Sequence, residues 1–161
     1  MILLVILFTA RISAVAAPEK ITVTGTEKLE NSIKDLLKKA ESAPDDYFIN
    51  VNLGWLYFQA GKYANSLYHY KLATERNTWS LESRMGCHLV AMATMKYPEA
   101  EKYARGILEI DPLNFFGNIY LIKALIAQEK KAEAEKIVIY ILTFYPSDPQ
   151  LNALFFQLQA K

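Results

Sequence analysis

The chain of 161 residues has one cysteine, Cys87, and two histidines, His69 and His88. A lone thiol excludes an intramolecular disulfide, so stability has to come from packing. Two histidines and one cysteine, in no ligand spacing, do not make a zinc site. Cys87 and His88 are adjacent, and adjacent helical residues do not face each other, which argues against a nucleophile–base dyad. Glycine and proline number only six each, and no glycine-rich phosphate loop is present. Charge of either sign is unconcentrated: 18 Lys and Arg face 17 Asp and Glu, for a net charge of +1. Without a long basic run or an acidic tail, nucleic acid is a poor partner. No Asn-x-Ser/Thr sequon occurs, which mildly favours a bacterial envelope over a eukaryotic secretory route. The sequence therefore offers no catalytic constellation, metal set or cofactor site, and an enzyme is not expected.

What remains is apolar and helical. Hydrophobic residues make up 52% of the chain and charged residues 22%, the balance of one globular domain with a real core. The first residues differ in kind. Met1 precedes the apolar run ILLVILFTA, then Arg11, then ISAVAA before Pro18. A short apolar core followed by small residues is the pattern of a secretory signal peptide, here residues 1–17. The run is too short to span a bilayer. Membrane association is expected only if this segment is retained, and no cysteine at the cleavage site supplies a lipid anchor. The expectation is an exported protein, periplasmic or envelope-associated if bacterial. Residues 18–25 read as an extended linker.

Residues 26–46 open on an amphipathic helix, with Leu29, Ile33, Leu36 and Leu37 on one face. Beyond it a period appears. Pro112 and Pro146 lie 34 residues apart, and Pro44 lies 68 before Pro112. Ser66, Ala100 and Ala134 keep the same spacing, as do Tyr63, Tyr97 and Lys131. Three units follow, 47–80, 81–114 and 115–148, each with two helical patterns. The turns are expected at Ala60-Gly61-Lys62, near Lys96-Tyr97-Pro98 and around Glu129-Lys130-Lys131. Pro98 suits the opening of a helix, and Gly61 suits a helix C-terminus. Residues 149–161 read as a closing helix with Leu151, Leu154, Phe155 and Leu158 inward. The charge run Glu129–Lys136 and the histidine His69 both read as solvated helix faces.

This pattern resembles the tetratricopeptide repeat family, a 34-residue helix–turn–helix unit. The first unit carries Leu53-Gly54, Tyr57, Gly61, Tyr63, Tyr70 and Ala73; the second keeps Ala91, Tyr97, Ala100 and Pro112; the third keeps Leu121, Ala134 and Pro146. The resemblance implies an all-α, right-handed α-solenoid closed by flanking helices. It implies a close helix crossing at Gly54, with Ser66 as the small partner. His88 and Ile122 occupy that place in the later units, so wider crossings are expected there, with Gly106 returning some room. Cys87 falls where the family has a buried leucine and is expected to pack as a small hydrophobe.

The resemblance also implies that the first helix of each unit lines a concave face. Carried over, that face holds Phe48, Val51, Trp55 and Phe58, then Glu82, Met85, Leu89 and Met92, then Phe116, Ile119, Lys123 and Ile126. All but Glu82 and Lys123 are apolar. Some family members grip a peptide carboxylate with Lys, Arg and Asn here; only Lys123 could serve, so that mode is disfavoured. An apolar groove suits a partner helix or extended apolar segment, and Trp55 is the expected anchor. The expected function is a protein–protein adaptor of the cell envelope. Two alternatives stand beside it: a structural subunit whose inner face is permanently occupied, or a face that is simply core.

Overall fold

The computed structural model describes residues 25–160. They form eight helices and no strand: α1 Thr26–Ser42, α2 Tyr47–Gln59, α3 Tyr63–Arg76, α4 Leu81–Ala93, α5 Tyr97–Leu108, α6 Phe115–Ala127, α7 Lys131–Leu142 and α8 Pro149–Gln159. The chain is an all-α solenoid of antiparallel helix pairs.

The same local chemistry recurs at each start. Asp46, Ser80, Asn114 and Asp148 cap α2, α4, α6 and α8, each side chain accepting a hydrogen bond from a first-turn amide. Such a cap satisfies donors that a helix start leaves orphaned. One turn further in, Asn50 donates to the carbonyls of Pro44 and Asp46, both at 2.8 Å. Asn118 repeats this with Pro112 and Asn114, and Asn152 with Pro146 and Asp148. Arg84 reaches the equivalent Thr78 carbonyl at 2.9 Å. Each incoming loop is thereby tied to the helix it starts. By these contacts α8, expected as a closing helix, is built like the first helix of a further unit, while Leu151 and Leu154 cover the core of the preceding one.

The turns inside the units are alike too. Gly61, Met95 and Glu129 have positive φ, at 70°, 57° and 60°. In each case the next amide returns to the carbonyl five residues back: Lys62 to Tyr57, Lys96 to Ala91 and Lys130 to Leu125. This is the Schellman arrangement, which satisfies the last carbonyls of a helix. The second turn thus falls at Thr94–Lys96, slightly before the expected place, and Pro98 sits within the first turn of α5.

Packing follows the chain order, one helix on the next. Leu29, Ile33 and Leu36 of α1 meet Leu53, Leu56 and Tyr57 of α2. Leu37, expected on this face, is exposed. Tyr70 of α3 is buried between two glycines. A Cβ at Gly54 would come within 2.8 Å of its ring, and one at Gly86 within 2.4 Å. So the ring of Tyr70 fills the space at Gly54, and Ser66 contributes a 2.7 Å hydrogen bond from its hydroxyl to the Gly54 carbonyl. Gly106 does not relieve His88; it lies against the Arg84 guanidinium, 3.0 Å from where a Cβ would be.

The run Glu129–Lys136 is not merely a solvated face. Glu101 of α5 accepts from Lys130 at 2.7 Å, Arg105 at 2.7 Å and Gln128 at 2.8 Å. Arg105 also reaches Glu133. Burial alone would raise the Glu101 pKa, but these donors outweigh it and hold the carboxyl at about 2. The network joins α5 to the turn between α6 and α7.

Candidate functional site

Consecutive helices alone do not define a face. Beyond them, α2 touches α4 and α4 touches α6. The first helices therefore stand side by side as one wall, with the second helices behind them. One side of each first helix, read at spacings of three and four, looks outward from that wall.

On α2 this side shows Phe48, 49% exposed, with Trp55 and Phe58 half-buried. The Trp55 and Phe58 rings stack at 6.0 Å and 12°, and Phe58 leans on Tyr63 at 5.6 Å. On α4 it shows Met85, Leu89 and Met92, all half-buried, beside Glu82. On α6 it shows half-buried Phe116 and Ile126 with exposed Lys123. Partial burial lowers the Lys123 pKa. The result is three adjacent rows of partly exposed apolar side chains.

Two of the expected lining residues do not belong to the face. Val51 and Ile119 are fully enclosed, Val51 among Tyr70, Cys87 and Val90, Ile119 among Leu121, Leu125 and Ile141. Both are short and β-branched, so they end inside the helix packing. Met85, at the same register, is long enough to emerge. Trp55 also differs from expectation in degree. It packs against the cluster of Val51 and Tyr70 as well as facing outward, so its truncation costs stability along with contact area.

Behind the face, His88 and Tyr120 join α4 to α6. Their rings stack at 4.4 Å and 17°, a contact the sequence pattern did not indicate because it crosses between units. His88 is buried, and its Nδ1 lies 3.0 Å from the Ala100 carbonyl. A carbonyl only accepts, so Nδ1 carries the proton. Burial lowers the His88 pKa to about 4, although the carbonyl bond raises it and Lys123 lowers it further. Cys87 faces the other way, among Val51, Tyr70, Ala73 and Val90. Burial raises its thiol pKa to about 11, which suits core packing and not a nucleophile.

His69 is not a solvated residue. Its Nδ1 meets Asn50 Oδ1 at 2.9 Å, its ring stacks on Tyr57 at 5.4 Å, and burial lowers its pKa. Among the described residues no group of three His, Cys, Asp or Glu side chains is placed to hold a metal. Nor is any described helix long and apolar enough to cross a membrane.

Solved structures share this architecture. A tetratricopeptide repeat protein from Parabacteroides merdae superposes with a TM-score of 0.73 at 20% identity, over 82% of this chain and 52% of its own. The chain thus spans about half the length of that protein. MamA superposes with a TM-score of 0.75 at 11% identity, over 82% of this chain and 77% of its own. The second tetratricopeptide domain of human RPAP3, in complex with an HSP70 peptide, gives 0.64 at 19% identity, over 70% of this chain and 93% of its own. Neither a protein-family model nor a curated protein matches the sequence. At these identities the likeness is one of fold, and the fold of this chain is that of the tetratricopeptide repeat proteins.

Proposed function

We propose that the chain is a protein-interaction adaptor whose face of first helices takes a helix or extended apolar segment of a partner protein. The observation that carries this is the alignment of half-exposed Trp55, Phe58, Met85, Leu89, Met92 and Ile126 on three touching helices. Apolar side chains left partly open over several adjacent elements suit a partner that covers them. Methionines and aromatics adapt their shape to an incoming side chain. The RPAP3 domain, of the same fold, is held with an HSP70 peptide of sequence SGPTIEEVD. That peptide is acidic, whereas Lys123 is the one cation among the positions carried over to this face, so an apolar segment is the better complement here. The N-terminal run of residues 1–17, which lies outside the described residues, supports export and hence a partner in the cell envelope.

The test is selection of peptides from a displayed library on the chain beginning at residue 18. Peptides should be recovered with apolar residues spaced for one helix face, and Met85→Glu with Leu89→Glu should abolish their binding while helical content stays unchanged. Equal binding by that variant would remove these helices as the docking face.

A further inference from the structure

The second helices present their own outer surface, and it changes character along the chain. At one register, α3 carries exposed Lys71, Glu75 and Arg76 with half-buried Leu72, while α5 and the residues just after it carry exposed Arg105 and Glu109 with buried Gly106 and half-buried Ile110. At the same places α7 and its end carry Ile139, Tyr140, Thr143 and Phe144. Every charge has gone. Ile139, Tyr140 and Phe144 are 49%, 54% and 49% exposed, and Thr143 is exposed as well. The Tyr140 and Phe144 rings meet edge-on at 5.3 Å, so they form one surface. Opposite them, Val138 and Ile141 are fully buried in the core. From Ile137 to Ser147 no charged residue occurs. The C-terminal half of α7 is apolar on every side, and such a segment is expected to be covered on every side, yet among the described residues nothing covers its outer face.

We propose that the outer face of α7 is an interface between two copies of this chain, α7 of one packed on α7 of the other about a twofold axis. A twofold interface sets a patch against itself, so it must be self-complementary. From Ile137 to Ser147 this patch sets no charge against its own copy, so like-charge repulsion does not oppose the pairing. Three large side chains, each about half exposed, offer roughly 300 Å² per copy. With Thr143 and the Lys136 stem at the edge, the total across the axis reaches about 1,000 Å², the low end for a specific contact. An area at this low end fits a weak, reversible dimer. An anionic bilayer is a poorer occupant. Lys131 and Lys136 on this helix are matched by Glu133 and Glu135, leaving no basic excess to draw it to lipid. Because the patch lies on the second-helix layer, pairing leaves the first-helix face free.

Sedimentation equilibrium on residues 18–161, which contain all eight helices, tests this. The apparent mass should rise from monomer to dimer between micromolar and millimolar protein. Ile139→Lys with Phe144→Arg, which restores first-unit chemistry, should stay monomeric with unchanged helicity and melting. Should that pair impair folding, Thr143→Arg blocks the same face without touching apolar packing. Met85→Glu, on the other face, should dimerise normally. A monomer at every concentration overturns the proposal, as does a dimer that survives the α7 variants or disappears with Met85→Glu. Flotation with vesicles of phosphatidylglycerol and phosphatidylcholine by a monomeric wild type, lost in the α7 variants, would assign the face to lipid and equally overturn it.

Discussion

Gly61, Met95 and Glu129 hold one left-handed backbone conformation, and only the first is suited to it. The φ values of 57° at Met95 and 60° at Glu129 bring a Cβ too near its own carbonyl, at a cost of about 1 kcal/mol. The helix-closing bonds from Lys96 and Lys130 repay it. Glycine there would keep those bonds without the steric cost, though its freer unfolded chain takes back part of the gain. Met95 is 75% exposed, so its side chain contributes little packing. Met95→Gly and Glu129→Gly should each stabilise the fold by up to about 0.5 kcal/mol, read as a higher urea midpoint. Unchanged or lower midpoints would show the turn to be unstrained. Gly61 was legible as a helix end because glycine advertises positive φ. Met95 and Glu129 were not, since neither residue type carries that signal and only their spacing from Gly61 does.

At the scale of helix pairs, one crossing is solved three ways. In the first unit the Ser66 hydroxyl of α3 donates to the Gly54 carbonyl of α2. In the second the direction reverses, and His88 of α4 donates to the Ala100 carbonyl of α5. In the third, Ile122 and Ala134 hold the same two places, both apolar and both fully buried in one core cluster. The second solution is sensitive to acid. The His88 pKa is about 4 in the fold and about 6.5 unfolded, so the unfolded chain binds the proton more readily. The stability of the neutral, buried ring is full above about pH 6.5, falls as pH drops toward 4, and is lost below it. The loss is on the order of 3 kcal/mol. His88→Ile, taking the residue of the third unit, should flatten the difference in urea midpoint between pH 7 and pH 4. Equal pH dependence in both proteins would mean that the ring protonates freely in the fold. The Gly54 crossing was legible because glycine and serine recur in one unit's own pattern. The space that Gly86 leaves for Tyr70 was not, since it joins neighbouring units, and the same holds for the stacking of His88 on Tyr120.

The described helices form a row, with α1 and α8 as its outermost members. Its period was readable from prolines and small residues, whereas the first helices as one wall came only from the family resemblance. Which wall residues stay open was less so: Val51 and Ile119 vanish into the packing while Met85 emerges, a matter of side-chain length that spacing does not encode. A row also distributes stability unevenly. Stability in such arrays is nearly a sum of unit and neighbour terms, and α1 and α8 each pack mainly on one neighbour, α2 and α7, whereas interior helices pack on at least two. α1 buries only Leu29, Ile33 and Leu36, and α8 only Leu151 and Leu154. α6 buries residues on every turn, from Gly117 to Leu125. Native-state hydrogen exchange should therefore find the amides of α1 and α8 opening in separate events of lower free energy than those of α4 to α6. The Asn152 tie to Pro146 and Asp148 holds only the start of α8, so exchange there should advance from Gln159 backwards. Uniform protection from α1 to α8 would instead make the chain one cooperative unit, with the interfaces between units as strong as the packing within them.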